Sequence, residues 1–266
     1  MDNIAEKVGF NAYTLKMIAI IGMVMQHTAI VLADIMPLGL EIPLHFAGGF
    51  TFPIMAFMLV EGYRKTSNLK RYILRMFIFA LVAQAPFMLA FANTEMFWQL
   101  NIMFTLMFGL FTLIIYDKMK ARWLFWIIFV IYVIASTFFV NWGLFGPLMI
   151  LLYHVFTKET SRRIMPGIII ASSMAAFGLI GLCSVAMLDF AGGTDPKIAY
   201  ILGDVGTQEM MNALVLNLAF AIGIFVPVFL LHRYNSQRGR DVRYLFYAIY
   251  PLHLLILAGI SLVIGG

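Results

Sequence analysis

The chain has 266 residues, 62% of them hydrophobic and 12% charged, with 18 lysines and arginines against 13 acidic residues. Charged residues make up about a quarter of an ordinary soluble domain, so this composition and a mean hydropathy of +0.93 exclude a soluble globular protein and make the bilayer the main solvent. The basic residues sit in short loops between apolar runs, so a pI of about 9.3 does not point to nucleic acid, and Cys183, the one cysteine, excludes an intramolecular disulfide and is expected simply to pack.

The N-terminus lacks a basic leader and a small-x-small cleavage site, so the first span is expected to be retained. Residues before Tyr13 mix polar and apolar types and suit a short surface helix. A run of about 20 apolar residues crosses a hydrocarbon core of about 30 Å. On that measure spans are predicted at roughly Leu15–Ile35, Leu44–Tyr63, Tyr72–Ala92, Leu100–Tyr116, Trp123–Val140, the short Gly143–Phe156, Ile164–Leu188, Asn212–Leu231 and Tyr244–Ile264. The fold class is therefore all-α, a polytopic transmembrane helix bundle of about nine spans forming one domain over residues 1–266.

The stretch from Phe50 to Phe87 orients the rest. Its two apolar runs flank a hinge holding Arg64, Lys65, Lys70 and Arg71, which belongs in the cytoplasm. Every second loop is then basic: Lys118, Lys120 and Arg122; Lys158, Arg162 and Arg163; Arg233, Arg238, Arg240 and Arg243. The opposite loops carry Asp34, Glu41, Glu95, Asp189, Asp195, Asp204 and Glu209, and of the 18 basic residues only Lys197 falls there. This bias puts the N-terminus inside and the C-terminus outside. The acidic stretch Asp189–Asn212 is the longest outer loop, with room for a partly inserted or lid-like helix. No internal repeat or low-complexity tract is evident.

Ionisable groups at membrane depth are functional candidates by default. His27 lies about a dozen residues into the first span, about 18 Å from its inner end, with Gln26 before it. Its imidazole suits a general base, or a hydrogen bond that fixes helix packing. His253 follows Pro251, where the helix should bend, and shares a face with Tyr247 and Tyr250. That stripe suits a cavity wall or a kinked packing interface. Glu61 has Arg64 and Lys65 at i+3 and i+4, so it is either part of a helix-end ion pair or a group that orients a cytoplasmic arginine such as Arg75. Asn101 and Thr105 suit a cavity lining or a bridge between helices. Asn141-Trp142-Gly143 marks an outer turn, where tryptophan is commonly an interface anchor. The basic loops fit positive-inside bias alone or a phosphorylated cytoplasmic ligand, with Ser236-Gln237-Arg238-Gly239-Arg240 as a phosphate contact. No GxSxG, HExxH or zinc-type spacing occurs, and no metal is expected.

Several pieces together resemble the TraX family of bacterial integral membrane acyltransferases. They are His27; Phe52-Pro53-Ile54-Met55-Ala56-Phe57 with Glu61-Gly62-Tyr63; Arg71-Tyr72 with Arg75; Gln84-Ala85-Pro86-Phe87; Asn101 to Thr105; Gly143 to Tyr153; Arg238-Gly239; and Phe246-Tyr247 to Tyr250-Pro251-Leu252-His253-Leu254. No single piece is decisive; their order over nearly the whole chain carries the resemblance. It implies a multi-pass protein of the bacterial inner membrane that moves an acetyl group from acetyl-CoA, a co-substrate, to an amine or hydroxyl acceptor. The named member acetylates the F-pilin N-terminus; here the acceptor, a protein N-terminus, peptide or glycan, is left open. Two positions depart from the family pattern: Gln26 stands where an Asp usually precedes the histidine, and Asn141-Trp142-Gly143 where Asp-Tyr-Gly is common.

In the reading that follows, the phosphates of acetyl-CoA meet Arg64, Arg71, Arg75, Arg238 and Arg240. His27 takes the acceptor's proton, or forms an acetyl-histidine, while His253 with Tyr250 or Asn101 binds the carbonyl oxygen. Gln26, Glu61, Asn101, Thr105, Tyr247 and Tyr250 line the site. A small-solute transporter or lipid flippase is the alternative from another class, although the sequence shows no repeat symmetry or matched pair of broken helices. A non-catalytic membrane scaffold is the third.

Overall fold

The computed structural model describes residues 9–94, 96–192, 207–240 and 243–264. The helices are α1 (Ala12–Val31), α2 (Leu38–Gly48), α3 (Thr51–Lys65), α4 (Leu69–Ala90), α5 (Ile102–Lys118), α6 (Arg122–Phe139), α7 (Phe145–Val155), α8 (Glu159–Gly192), α9 (Thr207–Gly223), α10 (Phe225–His232) and α11 (Arg243–Ile264), with a 3-10 turn at Ala33–Ile35. Each predicted span falls on helix. Among the described residues seven helical stretches are long and apolar enough to cross a membrane. Helix α5, at 17 residues, and α7, at 11, are shorter. The protein is an all-α, polytopic membrane helix bundle.

Burial separates centre from periphery. In the most apolar 18-residue window of Leu38–Lys65 56% of the residues are buried, against 22% in Arg122–Phe139. Accordingly α3 packs against α1, α5, α7 and α10, whereas α6 touches chiefly α5. On α6 Trp123, Ile131 and Phe138 are exposed, an outward apolar surface that suits lipid contact. Cys183, expected to pack, is exposed on α8 instead.

The basic helix ends meet on one face of the bundle. Asn68 caps α4 by accepting from the Arg71 N–H, so the helix starts earlier than its apolar run and takes in Lys70 and Arg71 of the basic hinge. Residues 9–11, expected to be helical, are extended and pair with the loop after α10: the Phe10 N–H donates to the Arg233 carbonyl and the Asn235 N–H to the Phe10 carbonyl. The Tyr13 N–H then donates to the Arg238 carbonyl. Gly239 turns this loop at φ 68°, where a side chain would also collide with Asn11.

Two crossing helices are broken, contrary to the sequence expectation. The α2–α3 break lies at Gly49–Phe50 and the α9–α10 break at Ile224, and they face each other: a Cβ on Gly223 would strike the Phe46 carbonyl, and one on Gly49 the Phe220 carbonyl. Each break is a tightened turn, not an unwound segment. The Gly49 N–H reaches the His45 and Phe46 carbonyls, and the Ile224 N–H reaches those of Phe220 and Ala221. Pro251, by contrast, sits inside an uninterrupted α11. Glu95, Asp195, Lys197, Asp204, the chain before Gly9 and the centre of the proposed lid between Asp189 and Asn212 lie outside the described residues.

Candidate functional site

At the heart of the site two histidines from opposite ends of the sequence meet. His27 Nδ1 lies 2.8 Å from His253 Nε2, with the rings inclined by only 12°. His253 Nδ1 lies 2.9 Å from the Ile249 carbonyl. A carbonyl can only accept, so His253 carries its proton on Nδ1. In the neutral pair His253 Nε2 is therefore an acceptor, His27 Nδ1–H is the donor, and the lone pair of His27 is on Nε2. Both rings are buried, and Phe91 packs edge-on against His27 with ring centroids 5.3 Å apart. Gln26 is not the partner of this imidazole; its side chain packs on Gly48. Asp34, exposed beyond the end of α1, plays no part.

Two cavities approach this pair from opposite halves of the bundle. The inner one, of about 330 Å³, has Lys16, Arg75 and Arg238 at its basic end with Tyr72 and Tyr247, and apolar walls rich in methionine. The outer one, of about 360 Å³, contains His27 with Gln26, His45, Gln99, Asn141 and Asn217. Met23, Thr51, Phe52, Ile102 and Tyr250 border both and form the neck at which the two adjoin. On α1 the residues Lys16, Ile20, Met23 and His27 follow helical spacing, so one face of one helix runs from the basic end through the neck to the imidazole.

Two polar side chains border the neck: Thr51, whose hydroxyl donates to the Ala19 carbonyl at 2.9 Å, and Tyr250. Tyr250 is the one with an uncommitted hydroxyl. Its hydroxyl is buried and makes no hydrogen bond. Ile102, the first residue of α5, borders the same neck. A free O–H beside a helix N-terminus, adjoining the histidine, suits negative charge that develops on an oxygen. At the inner end Tyr247 accepts from Arg75 Nε at 3.2 Å, and stacks on Phe79 at 4.2 Å between centroids. Tyr72 and Tyr247 both flank the Arg75 guanidinium. That arginine is thus aimed at the cavity by two aromatic rings.

Other expected site residues are elsewhere. His253 lines neither cavity; both its ring nitrogens are engaged, so it stands behind His27 and cannot bind a carbonyl oxygen. Asn101 is fully buried and fully used: its amide donates to the Ala80 carbonyl and to Gln84 Oε1, each at 2.8 Å, and its Oδ1 caps the Met103 N–H. Thr105 donates to the Asn141 carbonyl. Both bridge helices; neither lines a cavity. Glu61 pairs with Arg162 and Lys65, each at 2.6 Å, not with Arg75. Arg64 donates to the His154 carbonyl at 2.7 Å, beside an Asp117–His154 pair. Arg71 and Arg240 are exposed and line neither cavity. Trp142 is no interface anchor: at φ 65° it turns inward to stack on Phe52, centroids 4.3 Å apart.

Sequence reading missed Lys16, His45, Gln99 and Asn217. The signal for Lys16 was available, since it precedes His27 by three helical turns and shares its face. Nothing local distinguishes the others from packing residues.

Comparison with known proteins fits this picture. A family model described as "TraX protein" matches residues 11–261. The chain is 30% identical over 266 residues to a Dichelobacter nodosus protein described as "Probable fimbrial assembly protein FimC, serogroup H1", covering 95% of this chain and 96% of that one. No solved structure matches. A match that takes in the paired histidines, both cavities and nearly all the helices means that this chain belongs to the TraX family.

Proposed function

We propose that this protein is a membrane-embedded acetyltransferase, taking an acetyl group from acetyl-CoA on the basic side and passing it to an acceptor in the outer cavity. The observation that carries this reading is the chain Ile249 carbonyl–His253–His27, which leaves a basic lone pair on His27 Nε2 at the wall of the outer cavity. The TraX resemblance supplies the donor. The positive-inside bias supplies an orientation with the N-terminus and the basic end of the inner cavity in the cytoplasm of a bacterial inner membrane. Lys16 and His27 are separated by about 16 Å along α1, a distance that the extended pantetheine arm of coenzyme A can span. Arg75, Arg238 and Lys16 would hold its phosphates, and the methionine-rich wall would accommodate the arm.

In this mechanism His27 Nε2 removes the proton from the acceptor as its oxygen or nitrogen attacks the thioester carbonyl carbon. The imidazolium that forms is steadied through its Nδ1–H by His253, which does for it what an orienting acid does elsewhere. Tyr250 donates its free O–H to the carbonyl oxygen as that oxygen becomes negative. As the C–S bond breaks, His27 returns the proton to the departing thiolate. The same lone pair would serve a route through acetyl-histidine.

His27→Ala tests the proposal. Acetyl transfer by the purified protein should fall by about 10²–10⁴-fold, while coenzyme A still protects it against thermal unfolding. Full activity in this variant would rule the role out. The facing breaks at Gly49–Phe50 and Ile224 favour transport as a second reading, but their backbone groups are satisfied within the helices, unlike those of substrate-coordinating half-helices. Solute counterflow in vesicles without coenzyme A protection would favour transport.

A further inference from the structure

The two cavities differ in the chemistry they offer. Every cationic side chain that lines either of them is on the inner one, and neither Asp nor Glu lines the outer one among the described residues. Instead the outer cavity has four carboxamides, Gln26, Gln99, Asn141 and Asn217, together with the imidazole of His45. Among the described residues the side chains of Gln26, Gln99, Asn141 and His45 make no hydrogen bond, and Asn217 uses only its Nδ2, which donates to the Ala213 carbonyl at 2.8 Å. Aromatic wall is supplied by Trp142, Phe145 and Phe220.

A carboxamide offers donors and an acceptor on one planar group, and a hydroxyl is donor and acceptor at once. Several carboxamides left open in a space of about 360 Å³ therefore match a ligand with several hydroxyls. An alkyl ammonium fits poorly. Within the membrane it needs a carboxylate partner, and it must lose a proton before it can attack a thioester. Resting on the acetyltransferase reading, we infer that the acceptor is the hydroxyl of a neutral sugar, not a peptide amine. The acceptor C–O–H oxygen attacks the thioester carbon, a C–O bond forms, the C–S bond breaks, and the hydroxyl proton travels by way of His27 to the coenzyme A thiolate. The product is an O-acetyl ester.

The full-length protein in nanodiscs, supplied with radiolabelled acetyl-CoA, is offered a panel of methyl glycosides and, separately, a peptide with a free N-terminal alanine. Hydroxylamine cleaves an acetyl ester and spares an acetyl amide. The expected product is a hydroxylamine-labile acetyl group on a glycoside. Gln99→Ala and Asn217→Ala should each raise the KM for that glycoside by about tenfold, the loss of one hydrogen bond, with coenzyme A protection against heat unchanged. A hydroxylamine-stable product on the peptide alone overturns the inference and leaves the acetyltransferase reading intact. So does transfer to no glycoside while coenzyme A still protects. Loss of both protection and transfer overturns the acetyltransferase reading, and this inference with it.

Discussion

His253→Ala separates a positioning role from a chemical one. In the native arrangement His253 Nε2 accepts from His27 Nδ1 at 2.8 Å, and the Ile249 carbonyl holds His253 in the required tautomer at 2.9 Å. Removing the ring leaves the His27 Nδ1–H buried without an acceptor and frees the imidazole to turn or to exchange tautomers. A buried donor left unpaired costs about 1–3 kcal/mol. If that cost falls on the reacting arrangement, kcat drops by about 5- to 150-fold, at 1.36 kcal/mol per decade. The drop should be smaller than that of His27→Ala, since Nε2 is still present. Because His253 lines neither cavity, KM for acetyl-CoA should stay within about twofold. His253→Gln offers an amide oxygen to the same N–H and should recover part of the loss. The assay is release of free coenzyme A followed by chromatography, at saturating acceptor. An unchanged kcat in His253→Ala refutes the relay, and a glutamine variant no better than alanine refutes the hydrogen-bond explanation.

Three other outcomes are expected. Tyr250→Phe removes a hydroxyl that makes no hydrogen bond in the resting protein, so the melting temperature should hold while kcat falls by about 10²–10³-fold, as for loss of an oxyanion donor. Arg75→Ala should raise KM for acetyl-CoA by about 10- to 150-fold, the range for a charge-assisted hydrogen bond of about 1.5–3 kcal/mol. Arg64→Ala should leave that KM nearly unchanged, because its guanidinium serves the His154 carbonyl; steady-state kinetics on both variants checks the pair. Arg162→Ala leaves Glu61, whose carboxylate is nearly buried, with the exposed Lys65 as its remaining ion-pair partner, and should destabilise the protein by about 1.5–3 kcal/mol, the worth of a charge-assisted hydrogen bond. Unfolding in detergent measures that loss, and Glu61→Met with Arg162→Met should restore most of it.

The role proposed for His27 requires no acid in its own turn of helix. Gln26 stands where the family commonly has Asp, yet the carboxamide is directed to the outer cavity and the ring finds its acceptor on α11. The amide at Asn141 likewise contributes to the outer cavity while its main-chain carbonyl accepts from Thr105. Both departures fall on one cavity, the one proposed to receive a neutral acceptor.

Hydrophobic length and charge bias, both local properties, were enough to place helix on each predicted span and to pick out the face on which the basic ends gather, though not the breaks at Gly49–Phe50 and Ile224. The helical stripe Lys16–Ile20–Met23–His27 was also legible, because spacing along a single helix decides which side chains share a face. The partners of those side chains were not. His27 and His253 are 226 positions apart, and their meeting depends on how α1 and α11 pack. Packing likewise turned Asn101, Thr105 and Glu61 from apparent site residues into bridges, and drew Trp142 inward. A polar group buried in a membrane bundle must find a partner, but which one it finds is set by the helix laid against it.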